Sequence, residues 1–393
     1  MKTLKTSERY RSVAGPYASL MAILISSRLV VLLAMVFSAT FVQRPAGEIF
    51  KDVTPRWYRY LLRWDAGWYL KIATEGYSYN GDNTVQQTVH FYPLYPLIAK
   101  AIAVLLNISE AASLLIVSSL VFFLAVPLLF KFIRESHGDE AALYAVAALC
   151  FFPSSLFFSA GYTESLALLL IAGFFLLLKQ ERYLLAAALA GLALATRSTG
   201  LLLLLPLVIE LWRKFSRDPK KLATLAAPCL ILATSGMWLY MIFLWASFNS
   251  PLAFVKNTSA WKSDAAIEGG LVGVLTLQPF YQLGDIYKFG PDPNTLSSWF
   301  FILFIALLIF FRKWLPFPIW IYSLGVLLLP YLTVSGDVGF VSFTRYSLMA
   351  FPVFIIFGEL FKRRLWLGLS VLGVFSAMLF MYSAFYAQFY WAG

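Results

Sequence analysis

Charged residues are scarce in this chain of 393 residues. Asp, Glu, Lys and Arg make up 13% of the sequence, whereas 60% of it is hydrophobic and the mean hydropathy is +0.75. Soluble domains carry about 25% charged residues, because polar groups must cover a surface that faces water. The composition therefore excludes a soluble, disordered, solenoid or nucleic-acid-binding protein and predicts a polytopic membrane protein.

Cysteine and histidine are also nearly absent. Cys150 and Cys229 both lie inside apolar stretches, so the sequence has no disulfide framework. His90 and His137 are the two histidines, which argues against a zinc site. No internal repeat is evident. The composition thus points away from a disulfide scaffold and from a metal-ligand cluster.

Apolar stretches long enough to cross a membrane are abundant. A hydrocarbon core of about 30 Å needs a helix of about 17 to 25 mostly apolar residues. We predict eleven crossings, at roughly 18–42, 111–133, 140–158, 164–180, 182–198, 200–213, 222–246, 296–312, 314–334, 345–361 and 365–388. The first follows a basic N-terminus and is too long for a signal peptide, so we expect an anchor with its N-terminus in the cytoplasm.

The stretch at 93–107 is a twelfth apolar candidate. It is short and carries Lys100 at its middle, where a cation costs about 2.5 to 3.5 kcal/mol. If it does not cross, 18 of the 31 Lys and Arg residues fall in the N-terminus and in short cytoplasmic loops. If it crosses, this positive-inside bias reverses. We therefore predict that 93–107 is interfacial or re-entrant.

This topology describes one integral membrane domain, 1–393, with two long extracytoplasmic loops at about 43–110 and 247–295. Long connections often have a function beyond joining helices. In the first loop an apolar stripe at helical spacing lies on one side of the predicted helix and three arginines lie roughly opposite, as expected for one or two helices in the membrane interface. The stripe consists of Trp57, Leu61, Trp64, Trp68 and Ile72, and the arginines are Arg56, Arg59 and Arg63.

Asp65 places a carboxylate close to this aromatic stripe, at the boundary of water and lipid. Two interpretations remain open from spacing alone. Asp65 pairs with Arg56, Arg63 or Lys71 and orients the helix, or it takes part in chemistry. The segment VHFYPLYPL follows, and its prolines and aromatic residues bring the chain back towards the bilayer beside Lys100.

Five strings in order carry a resemblance: RWDAGWYLKIATEGY, HFYPLYPL, CFFPSSLFFSAGYTESLALLL, LALATRSTGLLLLLP and SFTRYSLMAFPVF. They resemble the signatures of the PIG-V-like mannosyltransferases, all-α polytopic membrane enzymes of the GT-C class, in a compact bacterial form. The resemblance implies transfer of a mannose-type sugar from a polyprenyl-phosphate donor to an extracytoplasmic glycolipid or glycan. It implies a plasma-membrane location and makes Asp65 the catalytic candidate.

The implied chemistry fits a single carboxylate. Polyprenyl phosphate leaves as a stable anion, so no general acid is needed, and Asp65 would act as the base in an inverting displacement. The lipid-linked sugar is then a co-substrate and no cofactor is required, although a divalent ion that bridges phosphate and carboxylate remains compatible with the sequence.

The phosphate needs cations or hydrogen-bond donors, and Arg is well suited to that contact. Arg197, Arg345 and Lys100 lie at the predicted outer side, where they bind phosphate, snorkel to the headgroups or pair with carboxylates. Glu164 contacts a sugar hydroxyl, holds Arg197, or interacts with its own helix dipole. Arg28, near the middle of the first helix, has an open role that includes an internal ion pair.

Aromatic and loop residues complete the candidate set. His90 and Tyr92 line the acceptor path, or Tyr92 is an aromatic anchor. The remaining substrate-contact candidates are Trp64 and Tyr346, and in the second outer loop Trp261, Lys262, Asp264, Asp285 and Asp292.

Two other functions remain as alternatives. A transporter or flippase for a lipid-linked sugar would usually show repeats and charged or broken helices at the bilayer midplane. Here the predicted span interiors carry almost no charge apart from Arg28. The third possibility is that the protein is a non-catalytic partner in an assembly, although no sequence motif indicates which protein it would bind.

Overall fold

The computed structural model describes residues 2–43, 57–261, 293–334 and 342–390, and every regular element in these ranges is helical. Fourteen α-helices occur in them: α1 Lys2–Phe41, α2 Asp65–Glu75, α3 Leu94–Leu106, α4 Glu110–Phe151, α5 Glu164–Lys179, α6 Tyr183–Leu194, α7 Leu204–Phe215, α8 Pro219–Phe248, α9 Ala253–Lys256, α10 Pro293–Phe310, α11 Phe317–Val334, α12 Phe343–Ser347, α13 Pro352–Arg363 and α14 Leu365–Ala387. Short 3-10 segments lie between several of them, at Trp57–Leu61, Thr88–His90, Pro153–Phe158, Ser198–Leu203, Asn257–Trp261 and Arg312–Trp314.

Four of the described helices are long and apolar enough to cross a bilayer: Gly15–Phe41, Glu110–Phe151, Pro219–Phe248 and Leu365–Ala387. Others are apolar but shorter, such as α6 with 12 residues. The chain is a multi-pass membrane protein, and the number of eleven crossings remains a prediction.

The long helix α4 consists of two helices that meet at Gly138. This residue has φ 83° and ψ 173°, a backbone conformation that glycine adopts without a steric penalty. The bend falls inside KFIRESHGDE, which the charge pattern predicts as a short cytoplasmic loop between two crossings. The sequence therefore locates this turn correctly.

The core of the bundle is formed by α5, which is buried on nearly all sides between α4 and α6. Helices α6 and α8 approach so closely that a Cβ atom on Gly191 would lie 2.2 Å from the carbonyl oxygen of Leu232. Small residues permit such contacts in membranes, where packing between helices must replace the hydrophobic effect. Helix α13 packs on α4, and α1 packs on α14.

Helix α3 covers the stretch predicted to be re-entrant. Its 13 residues extend about 20 Å, which is short for a hydrocarbon core of about 30 Å. It runs antiparallel to the start of α4, because Tyr95 OH donates to Leu114 O (2.9 Å) and Ser113 Oγ donates to Ala99 O (2.6 Å). The chain therefore turns back at Asn107, which adopts a left-handed conformation.

Arg28 stabilises a break in the helical bundle. Its guanidinium donates to the carbonyl oxygens of Ser155 (2.8 Å) and Cys150 (3.1 Å) and to the hydroxyls of Ser159 (2.9 Å) and Ser155 (3.0 Å). These groups lie where α4 ends and the Pro153–Phe158 segment begins. Backbone groups freed by a break need such partners inside a membrane. The four hydrogen bonds of Arg28 thus go to neutral oxygens. They do not form the internal ion pair that was one of the expected roles of Arg28.

The first outer loop differs from the predicted single stripe. The 3-10 segment Trp57–Leu61 and helix α2 are separated by a break at Trp64, whose φ is 54°. Because of this break the two segments do not share one helical face, and the side chain of Arg63 is buried, with a relative exposure of 3%. The prediction of one apolar stripe with Arg63 on the opposite, polar face is therefore wrong.

Candidate active site

Asp65 is the first residue of α2 and follows the turn at Trp64. Its backbone N–H donates to the hydroxyl of Tyr162 (3.2 Å). A carboxylate in the first turn is stabilised by the partial positive charge of the helix N-terminus. The side chain is 25% exposed, so the carboxylate is held in place yet remains accessible.

Asp65 forms an ion pair with a residue 280 positions further along the chain. Arg345 Nη1 lies 2.6 Å from Asp65 Oδ2, and Arg345 Nε lies 3.7 Å from Glu164 Oε1. Arg197 Nη1 contacts the same oxygen of Glu164. Asp65, Arg345, Glu164 and Arg197 thus form a chain of alternating charges, which we call the charge cluster.

Two of the three expected local partners of Asp65 contact other groups, and the third lies outside the described residues. Arg63 Nε donates to Ala387 O (3.3 Å), and Lys71 lies 5.8 Å from the ring centre of Trp68. Arg56 lies outside the described residues. The expectation that Asp65 pairs with Arg63 or Lys71 is therefore wrong, since the tertiary fold brings in Arg345. For Glu164, the predicted alternative of holding Arg197 agrees with the structure.

The charge cluster is almost removed from solvent. The side chains of Glu164, Arg345 and Arg197 are 1%, 7% and 10% exposed. Tyr346 lies against both guanidinium groups, with its ring centre 5.2 Å from Arg197 Cζ and 5.1 Å from Arg345 Cζ. Low polarity strengthens these charge interactions and increases the cost of losing one partner.

The cluster forms where helices end. Glu164 begins α5, Arg197 follows α6, and Arg345 lies in α12, which has only five residues. Ser154 Oγ donates to Thr344 O (2.8 Å), so the 3-10 segment after α4 also contacts α12. Within a membrane, backbone that is not helical is tolerated where it is buried in protein or lines a cavity.

Two tyrosine hydroxyls hold the backbone before Asp65. The hydroxyls of Tyr386 and Tyr162 donate to Arg63 O at 3.0 and 3.2 Å, and Arg63 N–H donates to Tyr386 OH (3.2 Å). The guanidinium of Arg63 lies 3.8 Å from the ring centre of Phe389. Helix α14 thereby fixes the turn that presents Asp65.

Tyr69, one helical turn after Asp65, is another neighbour of the cluster. It is 8% exposed and packs edge-on against Tyr95 (5.3 Å between ring centres). Burial raises the pKa of Tyr69 above its ordinary value, and the charges of Arg197 and Glu164 act in opposite directions. Its hydroxyl therefore stays protonated as a neutral hydrogen-bond donor.

Sequence reasoning missed Tyr69, Tyr162, Tyr386 and the inward position of Arg63. Their contacts join positions up to 325 residues apart. Aromatic residues make up 18% of the chain, so one tyrosine in an apolar stretch carries no signal.

Three further candidates, Trp64, His90 and Tyr92, have surroundings that differ from one another. Trp64 adjoins Asp65 and is 40% exposed. The ring of His90 stacks on Trp261 (5.0 Å, 19° between planes). Tyr92 packs against Tyr240 (5.7 Å) in a separate, smaller apolar cluster.

Two groups of candidates are not part of the observed cluster. Lys100 is exposed on α3, and no contact among the described residues joins it to the four charged side chains. Lys262, Asp264, Asp285 and Asp292 lie outside the described residues.

The site offers a partly exposed carboxylate, two buried guanidinium groups and a second carboxylate between them. In the ranges that the structure describes, no three His, Cys, Asp or Glu side chains approach closely enough to hold a metal ion. The arrangement can bind an anion next to a group that accepts a proton.

The fold defines the class first. The chain shares its fold with the oligosaccharyltransferase of Archaeoglobus fulgidus, with a TM-score of 0.51 and 13% identity over 94% of this chain and 53% of that one. The protein is thus a polytopic helical membrane protein with the GT-C glycosyltransferase fold.

The family follows from the sequence. Residues 17–224, more than half of the chain, match the family described as Mannosyltransferase (PIG-V), and the chain belongs to that family. The predictions of family and fold are therefore confirmed.

Two named relatives share part of the chain. GPI mannosyltransferase 2 of Drosophila pseudoobscura pseudoobscura is 32% identical over 161 residues, 37% of this chain and 34% of its own. GPI mannosyltransferase 2 of Schizosaccharomyces pombe is 32% identical over 161 residues, 39% of this chain and 32% of its own. The match therefore spans about a third of the length of these relatives.

Proposed function

We propose that this protein transfers a mannose-type sugar from a polyprenyl-phosphate donor to a hydroxyl of an extracytoplasmic glycolipid or glycan. The observation that carries the proposal is the ion pair of Asp65 with Arg345 inside the buried charge cluster. Membership in the PIG-V mannosyltransferase family supports the transfer of mannose.

Asp65 is the proposed general base. Asp65 contacts Arg345 through Oδ2, and none of the described residues forms a hydrogen bond or ion pair with Oδ1. Oδ1 can therefore accept the proton of the acceptor hydroxyl. The acceptor oxygen attacks the anomeric carbon while the bond from that carbon to the phosphate oxygen breaks. The electron pair leaves with the phosphate, so a β-linked donor gives an α-linked product.

Arg345 and Arg197 are the proposed phosphate contacts. A guanidinium has five N–H donors in a planar fork, so Arg345 can bind phosphate oxygens while it still contacts a carboxylate. Glu164 is nearly inaccessible, lies between the two guanidiniums and holds both near the same point. Its Oε2 is buried with no hydrogen-bond partner among the described groups, so Glu164 remains a strong acceptor for the two guanidinium groups beside it.

The partly exposed position of Asp65 fits this division of roles. The acceptor must reach the base from water or from the membrane surface, whereas the donor phosphate must be desolvated to be bound strongly. Asp65 is 25% exposed and Arg345 is 7% exposed, so the two sides of the ion pair face different environments.

The test is a transfer assay with purified protein in vesicles, polyprenyl-phosphate mannose and a panel of extracytoplasmic glycolipids and glycans. Loss of a general base lowers the rate about 10²- to 10⁴-fold, so we expect Asp65→Asn to do so. Asp82→Asn is the matched control: it lies in the same loop, is exposed and bonds to Thr84, and it should retain activity within about twofold.

Two outcomes would count against the proposal. Undiminished transfer by Asp65→Asn would remove this residue from the mechanism. No transfer by the wild type from any lipid-linked sugar, together with movement of a fluorescent lipid-linked sugar across the vesicle membrane, would favour a flippase.

A further inference from the structure

A pocket, called the second pocket to distinguish it from the site at Asp65, lies at the opposite end of the bundle from Asp65. Helix α4 connects the two ends: Ser118 Oγ donates to Tyr162 O near the charge cluster, and Ser136 lines the second pocket. Eighteen residues of helix separate these serines, a distance of about 27 Å. This is close to the thickness of a hydrocarbon core, about 30 Å, so the pocket lies near the other membrane surface.

The pocket has an apolar interior and a polar rim. Its volume is about 400 Å³, within the range of about 300 to 1,000 Å³ typical of small-ligand sites. Its apolar lining consists of Phe132, Leu315, Pro316, Ile319 and Ile355, of which Phe132, Leu315 and Ile355 are buried, and its polar side, the rim, is formed by Ser136, His137, Lys313 and Trp314. Such a lining suits a ligand with one apolar and one polar part.

The rim carries an excess of positive charge. The neighbouring carboxylate of Glu359 already contacts His137 (3.1 Å) and lies 4.0 Å from Arg363. The guanidinium of Arg363 lies over the ring of Trp314 at 4.4 Å. Lys313 is exposed at the rim, and the described residues supply no carboxylate partner for it. The pocket therefore favours an anionic ligand.

Apolar side chains next to the pocket lead towards lipid. Ile309 and Phe310, at the end of α10, are 60% and 82% exposed, and Phe317, at the start of α11, is 47% exposed. In a membrane protein such side chains face acyl chains. A ligand that enters beside them comes from the bilayer, and basic pockets between membrane helices bind anionic lipid headgroups.

We propose that this pocket is a binding site for an anionic phospholipid, with Lys313 at the lipid phosphate and the glycerol and upper acyl chain against Ile319 and Ile355. The site is separate from the charge cluster and does not depend on the transfer reaction.

The test uses the full chain in detergent with phosphatidylglycerol or phosphatidylcholine, and native mass spectrometry measures bound lipid over a concentration series. We expect tighter binding of phosphatidylglycerol, weakened about fivefold or more by Lys313→Ala. Lys220→Ala is the matched control, because Lys220 is exposed in another predicted cytoplasmic loop; it should change the affinity less than twofold.

Ile319→Trp tests the cavity independently of charge, because it fills the apolar interior and should also weaken binding of phosphatidylglycerol. Equal affinity in the Lys313 and Lys220 variants, or equal binding of both lipids, would overturn the proposal. So would displacement of the lipid by inorganic phosphate at the same concentration, since the site would then recognise a free anion.

Discussion

The charge cluster and the pair of Lys214 with Glu181, near the other end of the helical bundle, differ in how deeply their ion pairs are buried. At the Asp65 end, Glu164 and Arg345 are 1% and 7% exposed and contact partners from distant parts of the chain. At the other end, Lys214 and Glu181 form a pair in which both side chains are about half exposed, at 47% and 56%. Exposed pairs contribute about 0 to 1 kcal/mol, whereas breaking a buried pair costs about 3 to 5 kcal/mol. We therefore expect the loss of one charge to cost more in the charge cluster than in the pair of Lys214 with Glu181.

The helices differ between the two ends as well. Near Asp65, the 3-10 segments Pro153–Phe158 and Ser198–Leu203 and the short α12 interrupt the α-helices. Near the other end, α4 changes direction at one residue, Gly138. Interrupted helices place helix N-termini and free backbone groups inside the protein, which a continuous transmembrane helix does not do.

The largest expected effect is the loss of Arg345. Arg345→Met leaves Asp65 and Glu164 without a shared cation, so we expect the free energy of unfolding to fall by about 3 to 5 kcal/mol. We also expect transfer activity to fall at least 100-fold. Denaturation in mixed micelles and the transfer assay measure the two effects.

Arg345→Lys is the informative companion variant. It retains the charge but loses the planar fork, so we expect stability to recover more than activity. If both variants kept full activity, the charge cluster would contribute no more to sugar transfer than the exposed pair of Lys214 with Glu181.

Tyr386→Phe should have an intermediate effect. It removes the hydroxyl that bonds to both N–H and C=O of Arg63 and leaves the ring in place. An unsatisfied buried backbone group costs about 1 to 3 kcal/mol. The variant also removes hydrogen bonds that hold the strained turn at Trp64 in place.

We expect kcat for Tyr386→Phe to fall about tenfold with KM changed less than twofold, because Asp65 is misplaced while the arginines remain. Tyr144→Phe is the control: its ring packs on Phe361 near the other end, and activity should be unchanged. An effect on stability alone, without a change in kcat, would make Tyr386 purely structural.

The sequence predicts the members of the charge cluster and, as one alternative, the contact of Glu164 with Arg197, but not the partner of Asp65. Glu164, Arg197 and Arg345 were identified because each interrupts the edge of an apolar stretch. That Asp65 meets Arg345, and not Arg63 or Lys71, depends on packing across 280 positions of the chain. Local spacing carries no information about that packing.

The end of one predicted span is wrong for a related reason. The predicted span 140–158 includes Leu156, Phe157 and Phe158, yet these residues form a 3-10 segment after α4. They are apolar and fully buried, so their hydropathy is the same as that of residues in a buried transmembrane helix. Hydropathy reports burial and does not detect a change from α to 3-10 geometry.

The smallest effect is expected at the exposed pair of Lys214 and Glu181. Lys214→Ala should lower the free energy of unfolding by less than about 1 kcal/mol and leave transfer activity intact. The difference should vanish at 1 M salt, where the Debye length is about 3 Å, whereas the effect of Arg345→Met should persist because solvent ions do not reach a buried pair. A salt-independent loss at Lys214 as large as that at Arg345 would mean that burial does not separate the two ends.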